Sequence, residues 1–164
     1  MFPRVISTLS QQYRALSSAS GRVITGRLTA LVGSKCEMSH TYSQAEVSQF
    51  ANLSGDNNRI HIDAEYASKT PFGKPIVHGI FTSSLFSTIL GSTITGAVYV
   101  SQSLQFLKPV FVDSTVLAKI EVLHVEKRKR GNLLTCSSTV DIVLEEGELV
   151  RTVTGEAKVL IPFE

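Results

Sequence analysis

The chain has no tryptophan, two cysteines and five prolines among its 164 residues. Cys36 and Cys136 stand alone, without neighbouring thiols or metal-ligand spacing, which excludes a disulfide framework and a thiolate metal site and points to core packing in a reducing compartment. Long apolar runs are missing too. Val116–Val125 and Leu133–Leu144 are broken by polar or charged residues well before the roughly 20 residues of a bilayer span, so no membrane span is expected. Acid is absent from the first 36 residues, which hold Arg4, Arg14, Arg22, Arg27 and Lys35. From Glu37 onward the balance is 11 basic against 14 acidic residues, or −3. A mildly acidic body without an aromatic platform is not the basic face of a nucleic-acid binder.

What is present divides in two. Residues 1–20 are rich in Ser and Arg, and Phe2, Val5, Ile6, Leu9, Tyr13 and Leu16 recur at near-helical spacing. A secretory signal needs a continuous apolar core, which is lacking, so the segment reads as a mitochondrial transit peptide, with a chloroplast address as the nearest competitor. Residues 21–164 then form one domain, a size that buries one substantial core.

Within that domain, strands are expected over Arg22–Leu28 and Lys35–Tyr42. Ser43-Gln-Ala-Glu46 is a capping box that starts a helix carrying Val47, Phe50, Ala51 and Leu53 inward and ending at Ser54-Gly55. Asp63 caps a short helix from Ala64 to about Lys69, ended by Pro71 and Gly73. Ile76–Leu90, apolar on most sides and followed by Gly91, reads as a buried helix. Strands follow at Ala97–Leu107, Thr115–Val125, Leu133–Leu144 and Leu149–Ile161, with turns at Lys127–Asn132 and Glu145–Gly147. One greasy helix followed by long strands on short turns implies an α+β fold, an antiparallel sheet curled around that helix.

The chemistry is concentrated in Phe50-Ala-Asn-Leu-Ser-Gly-Asp-Asn-Asn-Arg-Ile-His61, where Asp56, Asn58 and His61 share one loop held by helices at both ends. A carboxylate and an imidazole close together can take a proton from a carbon beside a carbonyl and give one to a departing hydroxide. Taken singly, Asp56 and Asn58 also suit turns, and His61 suits a hydrogen-bonded buried position.

The segment resembles the signature of the R-specific enoyl hydratase 2 group of the MaoC-like dehydratases, matched by Phe50, Leu53, Ser54, Gly55, Asp56, Asn58, Ile60, His61 and Ala67. Arg59 departs from it, standing where that family usually has Pro. The resemblance continues through Phe72–Gly79, Ser84–Ser87 and Ser101–Phe111. It implies a hot-dog fold, subunits paired as homodimers, and reversible dehydration of (3R)-3-hydroxyacyl thioesters carried on acyl carrier protein or CoA, in mitochondrial (matrix) fatty-acid synthesis. It also implies that Asp56 and His61 activate water with Asn58 and Ser87 in support, while the Gly79 amide donates to the thioester oxygen. That last role suits the first turn of the central helix, where amides are unpaired. No cofactor and no resident metal is expected. His78 is read as structural, holding the loop before the helix.

Two readings compete on the same fold. A hot-dog thioesterase commonly carries an acid on the central helix, and Gly79–Leu90 has none. A non-catalytic acyl-binding subunit has no evident use for both Asp56 and His61. The run Lys127-Arg-Lys-Arg130 reads as a solvated hairpin tip, with docking of an acidic acyl carrier protein as its alternative.

Overall fold

The structure is a computed structural model that describes residues 22–145 and 147–163. The expected N-terminal basic helix lies outside them. Seven strands, β1 (Val23–Gly26), β2 (Lys35–Thr41), β3 (Val98–Gln102), β4 (Gln105–Phe106), β5 (Thr115–Arg128), β6 (Gly131–Val143) and β7 (Leu149–Pro162), form one antiparallel sheet in the order β1-β2-β5-β6-β7-β3, with β4 also on β7. The described residues also form four helices: α1 (Gln44–Ser54), α2 (Arg59–Ile62), α3 (Ala64–Ser68) and α4 (Gly79–Thr93). The sheet is open, and α4 packs against β2, β5 and β6, which is the α+β arrangement read from the sequence.

The core lies between sheet and helix. Thr82, Leu85, Phe86, Ile89 and Leu90 bury one face of α4 at helical spacing against Met38, Ile120, Val140 and Val153 from alternating strand positions. Cys36 and Cys136 are free and fully buried there, in the packing role expected of them. The opposite face of α4, Ile80, Ser84, Ser87 and Gly91, is exposed in the single chain.

Several boundaries differ from expectation; β5 extends to Arg128 and β6 begins at Gly131, which shortens the turn expected over Lys127–Asn132. The central helix runs Gly79–Thr93 rather than Ile76–Leu90, because Ile76 pairs with Phe111 as an isolated bridge and the Val77 amide donates to the Val110 carbonyl. Those bonds keep the chain extended through His78 (φ −57°, ψ 130°). Gly91 continues the helix and does not end it. The strand expected over Ala97–Leu107 is split at Ser103–Leu104 into β3 and β4, and β3 itself carries a register shift at Tyr99/Ser101. Beyond it the Ser103 carbonyl closes on Gly155, where a Cβ would stand 1.9 Å from the oxygen.

The capping box is present, with the Ser43 amide donating to Glu46 and the Glu46 amide to Ser43 Oγ. Leu53, expected inward, is 86% exposed. It lies two residues beyond buried Ala51, about 200° round the helix and off the inward stripe. Among the described residues no helix is long and apolar enough to cross a membrane.

Candidate active site

The site is built where α1 stops. Gly55 takes the left-handed conformation (φ +80°) and its amide donates to the Ala51 carbonyl, which turns the chain out of the helix. Ser54 Oγ accepts from the Asp56 amide at 3.2 Å, and Asp56 Oδ1 accepts from the Asn58 amide at 3.3 Å. Asn58 then caps α2 by accepting from the Ile60 amide. Its side chain is thereby committed to the loop that carries Asp56 and His61, which is support by shaping. Arg59 makes two hydrogen bonds to Asp63 Oδ2, at 2.7 and 3.0 Å, and lies over the Tyr66 ring. Asp63 also accepts from the Tyr66 amide at the start of α3, so one residue ties α2 to α3.

His61 is 7% exposed and held on two sides. Gln44 Nε2 donates to its carbonyl at 2.9 Å, and its Nδ1 lies 2.7 Å from the Ile76 carbonyl. A carbonyl only accepts, so Nδ1 carries the hydrogen and Nε2 is left as the lone pair. Burial pushes the His61 pKa below the ordinary imidazole range, outweighing the Ile76 bond and the Asp56 carboxylate that pull it up. The imidazole is therefore neutral near pH 7 and available as a base.

His78 is the less legible member. Its Nε2 donates to the Asp56 carbonyl at 3.0 Å, its ring lies 3.7 Å from that of His61 at 26°, and the Phe50 ring packs on it at 5.0 Å. It thus joins α1, the Asp56 loop and α2 to the start of α4. The sequence placed it before the helix; its ring contact with His61 has no local signal, because the two are seventeen positions apart.

Among the described residues no side chain caps α4, and its first paired amide is Thr82, donating to the His78 carbonyl. The Gly79, Ile80 and Phe81 amides precede it in the first turn, where a helix offers no internal acceptor and the dipole favours negative charge. Gly79 lets the Phe106 ring close on the helix start: a Cβ would stand 2.7 Å from that ring and force it to shift.

Two adjoining cavities meet at His61, Gly79 and Ile80. The smaller, about 220 Å³, is lined by Phe50, Ser54, Asp56 and His78 besides. The larger, about 380 Å³, runs past Phe72, Val77, Phe106, Leu107 and Val110 and is mainly apolar, with Lys108 on its wall. Asp56, His61 and Gly79 are thus brought together. Ser87 is not with them: it stands exposed two turns further along α4 and lines neither cavity.

Residues 28–144 match the family model described as a MaoC like domain. The (R)-specific enoyl-CoA hydratase of Aeromonas caviae is 42% identical over 133 residues, 80% of this chain and 95% of that protein. The mitochondrial 3-hydroxyacyl-[acyl-carrier-protein] dehydratase of Arabidopsis thaliana is 30% identical over 162 residues, 99% of this chain and 90% of that protein. Among solved structures, the (R)-hydratase from A. caviae involved in PHA biosynthesis superposes with a TM-score of 0.73 at 39% identity, covering 80% of this chain and 97% of that one. With a family match over most of its length and the hot-dog architecture of its structural neighbours, the chain belongs to the MaoC-like domain family.

Proposed function

We propose that the chain catalyses the reversible dehydration of (3R)-3-hydroxyacyl thioesters to trans-2-enoyl thioesters. The observation that carries this reading is the meeting, at one cavity, of the exposed Asp56 carboxylate, the free Nε2 of a neutral His61 and the amide of Gly79 in the first turn of α4. In the hydration direction a water between Asp56 and His61 passes a proton to the free Nε2 of His61 as its oxygen bonds to C3. The C2–C3 π electrons move toward the thioester carbonyl, whose oxygen gathers negative charge against the Gly79 amide. Return of that charge to C2 with uptake of a proton completes the product, and dehydration is the same path reversed. The apolar cavity beside His61 takes the acyl chain, and Lys108 on its wall suits the phosphate of a carrier or coenzyme. Asn58 shapes the catalytic loop.

Purified protein should hydrate crotonyl-CoA to the R product. Formation of the S product, or release of free acid and thiol alone, overturns the reading.

Two further parts of the reading have their own support. A homodimer is favoured by the apolar edge strand, with Val98 53% and Val100 55% exposed, and by the open α4 face bearing Ser87. Light scattering on the purified chain checks it, and a monomer refutes it. A mitochondrial location is favoured by the acid-free N-terminal segment and by the mitochondrial dehydratases of A. thaliana and Solanum lycopersicum among the relatives. Removing residues 1–20 should abolish import and leave activity in vitro.

A further inference from the structure

We propose that Asp56, His61 and His78 form a binding site for one divalent transition-metal ion, zinc being the best match, whose occupancy blocks the acid–base pair. Among the described residues this is the one group of three or more His, Cys, Asp or Glu side chains whose ligand atoms lie close enough to share an ion, each within 4.8 Å of the other two. The state of the two imidazoles supports ligation. Metal-binding histidines donate their second ring N–H to a carboxylate, backbone carbonyl or water, which fixes the tautomer and strengthens the other nitrogen as a donor. Both histidines already do so, His61 through Nδ1 to Ile76 and His78 through Nε2 to Asp56. What remains on each ring is a lone pair, on His61 Nε2 and on His78 Nδ1.

His78 supplies an independent sign of a ligand. It is 3% exposed, and its Nδ1 is buried without a hydrogen-bond partner among the described residues. A buried acceptor with nothing to accept from carries a cost that an ion would remove. Two imidazole nitrogens and a carboxylate suit zinc and its neighbours, whereas magnesium and calcium favour all-oxygen shells. Three protein ligands also leave room for a bound water.

The site is not ready-made. The rings are nearly parallel, at 26° and 3.7 Å, and in-plane bonds from both to one ion require them to splay. The lost stacking and a three-ligand shell set this apart from a structural zinc site and make the ion reversible. Asp56, exposed and with Oδ1 accepting from the Asn58 amide, supplies the third ligand through its carboxylate. Bound zinc would occupy His61 Nε2 and the Asp56 carboxylate together, so that neither could hold water or take a proton.

Titration of the full chain with zinc chloride in a non-chelating buffer, followed by calorimetry, tests binding without reference to the reaction. Expected is one ion per chain, with cobalt(II) giving a visible absorption band at the same stoichiometry. His78→Phe and Asp56→Asn should each weaken binding more than about tenfold, since even losing the outer hydrogen-bond partner of a ligand costs about 10- to 100-fold. His124→Ala, remote from the site, should not. Asp56 is exposed, so its variant keeps the test decisive even if His78→Phe fails to fold. Unchanged affinity in Asp56→Asn, or no stoichiometric binding to the wild type, overturns the proposal. Blockade rests on the proposed function: zinc should inhibit crotonyl-CoA hydration in competition with substrate, and EDTA should restore it. Persistent activity with the site full would overturn that half. A chain that binds zinc yet never hydrates crotonyl-CoA would overturn the proposed reaction and leave the metal site standing.

Discussion

The sheet and the segment that overhangs it from Ser54 to His78 are held together by different means. The sheet carries paired backbone ladders twelve and thirteen partners long between β5 and β6 and between β6 and β7, and it packs a continuous buried core against α4. The overhang has two helices of four and five residues and is pinned by a few identifiable bonds: Gln44 to the His61 carbonyl, His61 to the Ile76 carbonyl, the Ile76 amide to Ile60, and His78 to the Asp56 carbonyl. Reactive groups are thus carried on a segment held by a few bonds, from the side chains of Gln44, His61 and His78 and from the backbone at Pro75–Val77, above a scaffold held by long backbone ladders. Substitutions in the overhang should appear in turnover, and substitutions in the sheet in stability.

The largest separation is expected at the acid–base pair. Asp56→Asn and His61→Gln should each lower kcat by about 10²–10⁴-fold, the range for a positioned proton-transfer group. Asp56 is exposed, and its variant should melt with the wild type. Near wild-type turnover in either would remove that residue from the mechanism.

The reverse case is Ile120→Ala. Ile120 is fully buried on β5 beneath α4, and its truncation should cost about 2–5 kcal/mol in a denaturant titration. Activity per folded molecule should stay the same. A matching loss of turnover at low temperature would mean that scaffold strain reaches the site, and the contrast would fail.

Gln44→Ala gives a smaller and finer test. Its amide bond to the His61 carbonyl has a net worth of about 0.5–1.5 kcal/mol, and its loss should loosen α2 without opening the sheet. Amide exchange should quicken at Ile60–Ile62, remain unchanged in β5 and β6, and accompany a few-fold drop in kcat. Uniform exchange across both regions would show that they open as one unit.

The same contrast explains what could be read from the sequence. Strand alternation, the Ser43–Glu46 box and the apolar run before Leu90 are local patterns, and each produced an element close to its expected place. Local spacing also put Asp56 and His61 in one short segment, although His61 stands on α2, a four-residue helix where a loop was expected. Contacts from distant elements were out of reach. The Ile76–Phe111 bridge delays the central helix by three residues, the close passage of Ser103 over Gly155 splits the strand after Ala97, and His78 reaches back to stack on His61. The open α4 face is a related case, since its residues alternate with buried ones on a helix whose composition alone gives no side a preference. Ser87 lies on that face, away from the two cavities.

The smallest expected effect belongs to the basic run at the β5–β6 turn. Lys127, Arg128, Lys129 and Arg130 are all exposed, and Arg128 pairs with Glu126 at 2.7 Å. The two strands close tightly there, with Arg128 opposite Gly131 and Gly131 opposite Pro162 at the end of β7. The large cavity touches β7 at Val153, nine residues back, or about 30 Å along the strand at ~3.3 Å per residue. Charges are screened over about 10 Å at 0.1 M salt, so the tip is too far from its own chain's cavity to guide a substrate in. Neutralising all four residues should therefore leave KM unchanged for crotonyl-CoA and for an acyl-carrier-protein substrate alike, and an exposed pair such as Arg128–Glu126 adds little stability to lose. A rise in KM for the carrier-borne substrate alone, shrinking as salt is added, would break this expectation. It would place the tip beside the cavity of a second subunit.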